Sequence, residues 1–212
     1  MQKYFLTAFL SVLSLCLSAQ QKSDARATAI IDRAAAKFDK GAFATDIKLS
    51  IKEPDKEKPE NQNLSAKLSG NKLYVKSADM EIFFDGKTQW VYYEQLNEVT
   101  ITEPDAKELE ILSPIAVFKN YKNKYRVIFE EDIKSDKYYI ISLLPYDKTD
   151  DIFRIRVTIN RANYEISKVE VSQRNGQKMT FALDTYKTIA PNADTFSFSS
   201  KNHPRVSIND LR

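Results

Sequence analysis

A mainly β protein, built on a curved and largely antiparallel sheet with two helical segments, is what the sequence predicts, and three observations predict it. From Gly41 onward, apolar residues recur at every second position for nearly all of the remaining chain. Turn-forming pairs such as Asp85-Gly86, Asn160-Arg161 and Asn175-Gly176 stand between successive strand-like runs, so hairpins are their natural connections. Parallel crossovers need helices between the strands, and the runs follow one another too closely to hold them.

Gln2 and Lys3 precede a run that is apolar or small from Tyr4 to Ala19, which is the pattern of a cleaved secretory leader over residues 1–19. Leu15, not a small residue, stands directly before Cys16, which disfavours a lipid-modified leader. The mature protein is then one domain, residues 20–212. Cys16 is the only cysteine and departs with the leader, so neither a disulfide nor a thiolate site is expected. Lysine and arginine number 32 against 29 acidic residues, a net charge of +3, which is not the basic excess of a nucleic-acid binder.

Ser23 to Lys40 places Ala27, Ile30, Ile31, Ala34 and Phe38 at three- and four-residue spacings, which predicts an amphipathic helix. Ser23 or Asp24 is its cap and Gly41 its stop. Phe43, Thr45, Ile47, Leu49 and Ile51 then alternate with polar partners, and a charged loop with two prolines follows. Further strands are predicted at 64–69, 73–77, 81–84, 89–93 and 98–102. A second helical stretch spans 103–121, where Ile111, Ile115, Phe118 and Tyr121 share a face. Strands resume at 125–130, 138–144, 153–159, 166–173 and 179–186, and Phe196 with Phe198 marks a last short one.

A sheet of about eleven strands presents roughly 1,000 Å² per face at about 4.8 Å per strand. The two helical segments cover about 400 Å² of that. Several strands, among them Tyr138 to Leu144 and Trp90 to Tyr93, are apolar on both sides. The sheet therefore curls around its own aromatic side chains as a filled barrel, or stays half open with the helices as a lid over an apolar cavity.

The chemistry of common enzymes is missing. His203 is the only histidine and stands in a polar tail, without the partners of a catalytic triad or a zinc site. No nucleophile elbow, dinucleotide fingerprint or phosphate loop is present. The acidic pairs Glu130-Glu131 and Asp150-Asp151 read as solvated turns. Arg154 and Arg156 share one face of a strand, either as its solvent side or as a docking patch for an acidic partner. No enzymatic activity, cofactor or metal is expected.

The segment Asp85-Gly86-Lys87-Thr88-Gln89-Trp90-Val91-Tyr92 resembles a hairpin of the LolA family of periplasmic outer-membrane lipoprotein carriers. The order of the rest is similar too: leader and N-terminal helix first, Glu98-Val99 after the hairpin, Ser113-Pro114-Ile115 before the second block of strands. Phe196-Ser197-Phe198 and Asp210-Leu211-Arg212 close the chain. The resemblance implies an incomplete β-barrel with a helical lid, a periplasmic monomer, and acyl chains of lipoproteins as cargo. It also implies an inner-membrane ABC transporter as donor, an outer-membrane acceptor, and no cofactor. A lipid-binding or envelope-stress-sensing module on the same half-barrel is the alternative. The expected cavity lining is a single strand face carrying Ile82, Phe84, Trp90 and Tyr92, with Ile30, Phe38, Ile115 and Phe118 from the helices. The family's Arg-Pro latch has no counterpart, since Lys76-Ser77-Ala78-Asp79 stands there instead.

Overall fold

The computed structural model describes residues 23–39, 41–105, 108–109, 117–130, 132–184 and 186–212, with the side chains of residues 38, 39, 117, 119, 120 and 193 left out. The leader and the predicted helical residues 110–116, Ile115 among them, lie outside the described residues.

Helix α1 runs Ala25–Asp39. Asp24 is its cap: its carboxylate accepts the Ala27 N–H at 2.9 Å. Ser23 has a different task, its hydroxyl oxygen accepting the Val127 N–H at 3.0 Å, while the Asp24 N–H donates to the Val127 carbonyl at 2.8 Å. The start of the helix is thereby stitched to a strand 104 residues away.

The strands are β1 Ala42–Lys52, β2 Glu60–Ser69, β3 Lys72–Lys76, β4 Met80–Phe84, β5 Gln89–Tyr93 and β6 Glu98–Thr102. Helix α2, Val117–Lys124, follows. Then come β7 Tyr125–Phe129, β8 Tyr138–Pro145, β9 Ile152–Asn160, β10 Ile166–Gln173, β11 Lys178–Leu183, β12 Lys187–Ile189 and β13 Ser207–Asp210. They form one 13-stranded sheet in the order β13-β6-β5-β4-β3-β2-β1-β11-β10-β9-β8-β7, with β12 against the start of β1. Each half is a meander, and the antiparallel β1–β11 pair joins the two. Among the described strands only β13, beside β6, runs parallel. The terminal strands β13 and β7 do not meet, so the sheet is an incomplete barrel.

Turn chemistry explains the hairpin at Asp85-Gly86. The Asp85 carboxylate accepts the N–H groups of Lys87 and Thr88 at 2.9 and 2.8 Å. Gly86 has φ +105°, and a Cβ there would sit 2.5 Å from the Asn71 side chain, so only glycine fits.

Two predicted strands are corrected. Phe196 and Phe198 are not in a strand: the chain forms short 3₁₀ turns at Ala193–Phe196 and Ser200–Asn202. The cause is local, since the Thr195 hydroxyl donates to Asn192 Oδ1 at 2.7 Å and accepts the Asn192 N–H at 2.9 Å. The run 179–186 ends as a strand at Leu183, one bond of the β1 ladder continuing beyond it from the Asp184 N–H to the Asp46 carbonyl at 2.9 Å.

Register sorts the side chains onto two faces. Inner-face residues pair with one another across the strands, Ile47 with Leu183, Val157 with both Val169 and Ile141, and Val127 with Leu143, all under 10 % exposed. Ala27, Ile30, Ile31 and Ala34 of α1 and Phe118 and Tyr121 of α2 close over them as the principal core. A separate apolar layer lies on the outer face of β3–β6. There Phe83, Tyr92 and Val99 are buried, and the C-terminal segment packs its buried Phe196 over the same strands.

Candidate functional site

The inner face beneath α1 is the candidate site, because apolar surface, a covering helix and an opening coincide there. The face is apolar because β1 and β8–β11 alternate in phase through their paired stretches, while bulges in the β9–β10 pair bring Ile152 and Ile166 into the same core, and α1 meets it with a stripe of small and branched residues.

Polar contacts flank that stripe and hold the helix in place. On one side the Asp32 carboxylate accepts hydrogen bonds from the Tyr121 hydroxyl and the Lys122 ammonium of α2, both at 2.7 Å. Burial pushes the Asp32 carboxyl up, but the bonds from Lys122 and Tyr121 outweigh it and hold the group below the ordinary carboxylate range. Burial and the bond to Asp32 raise the Tyr121 phenol above its usual value. On the other side, Arg33 lies 4.0 Å over the Tyr164 ring and Arg26 lies 5.0 Å from the Phe129 ring. Tyr139 stands between those two aromatics, 6.2 Å from Phe129 and 6.0 Å from Tyr164.

Tyr164 sits at φ +59°, a left-handed position that costs a bulky side chain energy. It is held there by its own N–H, donated to the Asn160 carbonyl at 2.8 Å. The conformation turns the ring toward α1, beneath Arg33.

Beside that ring, at the C-terminal end of α1, a cavity of about 210 Å³ is lined by Ala34, Lys37, Phe43, Tyr164, Glu165, Ile166 and Tyr186. Phe43 and Tyr186 meet edge to face at 6.2 Å, and the Tyr186 hydroxyl donates to the Ile166 carbonyl at 2.7 Å. Burial, with Glu165 nearby, raises that phenol above its usual value. Lys37 and Glu165 form a loose ion pair at the rim, 3.8 Å apart. Among the described residues no group of three or more histidine, cysteine, aspartate or glutamate side chains is placed to hold a metal ion.

The predicted lining residues divide. Ile30, Phe84 and Phe118 are buried together in the principal core, and Ile82 lies half-buried on the same sheet face as Phe84. Trp90 and Tyr92 do not join them. Ile82 pairs with Val91, while Trp90 and Tyr92 pair with Phe83 and Glu81, which places both on the outer face. The expectation of one shared face is thus corrected: each strand alternates as expected, but the register offsets them by one residue. Ile115 and the side chain of Phe38 lie outside the described residues. The residues that line the cavity escape sequence reading, although an aromatic directly after Asn163 in a turn was the signal for Tyr164.

His203 is corrected as well. It is not a free tail residue: its ring stacks on Phe198 at 4.5 Å and lies 4.3 Å from the Tyr92 ring.

A family model for the outer membrane lipoprotein carrier protein LolA matches residues 15–177. The chain belongs to the LolA family. An uncharacterized conserved protein from Thermus thermophilus has a similar crystal structure, with a TM-score of 0.59 at 8 % identity over 87 % of this chain and 99 % of that one. A LolA superfamily protein from Nitrosomonas europaea gives 0.46 at 12 % identity over 81 % and 97 % of the two chains. The MucA/MucB complex of Pseudomonas aeruginosa gives 0.47 at 14 % identity over 84 % and 62 %. The first of these similarities shows a shared fold. No curated protein sequence matches the chain.

Proposed function

We propose that this LolA-family chain is a periplasmic carrier. It holds the acyl chains of lipoproteins between α1 and the inner sheet face, taking them from an inner-membrane ABC transporter to an outer-membrane acceptor. It works as a single domain, residues 20–212, after loss of the leader, and uses neither cofactor nor covalent chemistry. The observation that supports this reading most is the apolar inner face of an open sheet, roofed by a helix whose flanking contacts are polar and which leaves a cavity at one end.

Magnitudes are consistent with a lid that yields to cargo. The cavity, at about 210 Å³, is smaller than the roughly 300 Å³ at which ligand pockets begin, so a long acyl chain displaces α1. Exposing Ile30 and Ile31 costs about 3–6 kcal/mol, the exposed polar contacts add about 1 kcal/mol each, and the bond from buried Tyr121 to Asp32 adds about 1.5–3 kcal/mol. Burying an acyl chain returns about 0.8 kcal/mol per methylene, on the order of 12 kcal/mol for a long chain. The exchange favours binding, and only a modest margin remains to be overcome on release.

The test is native mass spectrometry with lipid extraction on mature protein purified from the periplasm without detergent. An acyl lipid or lipoprotein should co-purify and be lost from Phe118→Glu. Ile82→Glu, at an inner-face position that is only half-buried, should reduce loading without unfolding the protein. Wild-type protein that stays empty when offered triacylated lipoprotein, or full loading of both folded variants, would overturn the reading.

A further inference from the structure

We propose that a line of cations on the outer face is a docking strip for an acidic, extended segment of a partner protein. The line is read from the register. Lys52 of β1 pairs with Lys178 of β11, Lys178 with Ser172 of β10, and Ser172 with Arg154 of β9. Leu144 of β8 stands beside Arg154 and pairs with Arg126 of β7. Their strand neighbours Ile51, Met179, Val171, Ile155, Leu143 and Val127 all belong to the inner core or pack against it, so this row points outward.

The row crosses six strands and holds no acidic residue. Arg154 and Lys178 have no carboxylate partner among the described residues, Arg154 lying only against the Phe153 ring at 5.8 Å. Among the described residues the Lys52 ammonium donates to the neighbouring Glu53 carbonyl, at 3.2 Å. On the rows to either side the cations are engaged. On one, Arg156 faces Glu170 and lies 3.7 Å from Glu130, whose carboxylate also accepts the Ser142 hydroxyl. On the other, Lys124 pairs with Asp150 at 3.0 Å, and Arg174 donates to the Asp150 carbonyl at 2.8 Å.

That confinement selects the occupant. Positive charge spread over a face suits an anionic bilayer, whereas charge held to one line suits a chain. Lys52, Lys178 and Arg154, at strand spacings of about 5 and 10 Å, match carboxylates about every second to third residue of an extended peptide, at roughly 3.3 Å per residue. The partner is therefore an acidic segment of at least about five residues lying across the strands, and it approaches on the face opposite α1.

The experiment measures fluorescence anisotropy of a labelled octaglutamate peptide with the mature chain at low salt. A neutral Gly/Ser octapeptide and phosphatidylglycerol vesicles run in parallel. Octaglutamate should bind, weaken with added salt, and lose at least about tenfold in affinity in the Arg154→Glu/Lys178→Glu variant. The control pair Lys58→Glu/Lys201→Glu, with the same change in net charge at exposed positions elsewhere, should bind as wild type does. If the reversed pair fails to fold, Arg154→Gln/Lys178→Gln replaces it, with a smaller loss expected. No binding at low salt, equal losses in both pairs, or binding to vesicles alone would overturn the proposal. Acyl lipid co-purifying with the strip variants should match wild type, which separates failure of the strip from failure of the carrier reading.

Discussion

The layer under α1 and the layer under the C-terminal segment cover opposite faces of the same sheet, and they are put together differently. The inner one is largely aliphatic, roofed by a helix with hydrogen bonds and cation–π contacts at its margins, and it leaves a cavity. The outer one is aromatic: Phe83 and Tyr92 lie 5.9 and 5.5 Å from Phe198, and His203 completes the stack. Polar groups secure its rim, with Glu81 accepting from the Tyr74 hydroxyl at 2.7 Å and from Lys76 at 2.8 Å. Contacts worth about 1 kcal/mol let a helix lift and return, whereas interlocked rings fix one geometry. One face is suited to exchange and the other to holding the edge of the sheet.

The largest effect that separates the two comes from Phe83→Ala. It should cost about 3–5 kcal/mol in urea denaturation while leaving acyl-lipid loading per folded molecule unchanged. A parallel fall in loading would mean that the two layers act as one. Next is Ala34→Trp, which fills the cavity from the helix side. It should lower loading about tenfold at a cost of about 1–3 kcal/mol in stability, read by native mass spectrometry beside the same denaturation.

Smaller again is Arg33→Gln, which removes the contact with Tyr164. The expected loss is about 0.5–1 kcal/mol, seen as faster exchange of a fluorescent fatty acid in stopped flow. Unchanged exchange would show that Arg33 does not hold the lid. The smallest effect is on pH. Because the folded-state pKa of Asp32 is lowered, its contribution is present above the ordinary carboxylate value and is lost as pH falls through the lowered one. Exchange should be flat from about pH 5 to 8 and quicken below about pH 4. Asp32→Asn should be fast throughout and lack that acid limb.

Much of the fold was legible because its signals are local. Period-two alternation located the strands, Gln89–Tyr93, Glu98–Thr102 and Ile166–Gln173 to the residue, and turn pairs located the hairpins. Asp24 stood one helical turn ahead of the N–H it caps. The candidate site was legible only in part. Ile30, Phe84 and Phe118 meet in the core as apolar residues of the helices and strands should, but Tyr164 lines the cavity from a hairpin turn, where no periodicity applies.

The sequence by itself determined α1, the strands up to Leu183, their hairpin order and the apolar character of the sheet, since each depends on residues a few positions apart. Tertiary structure alone decided which face each strand gives to the core. Alternation fixes that two neighbours point opposite ways, but not which of them points inward, and strands such as Gln89–Tyr93 are apolar on both sides. It also decided how the lid is held, because Tyr121 lies 89 residues from Asp32 and a hydrogen bond of that reach leaves no trace in spacing.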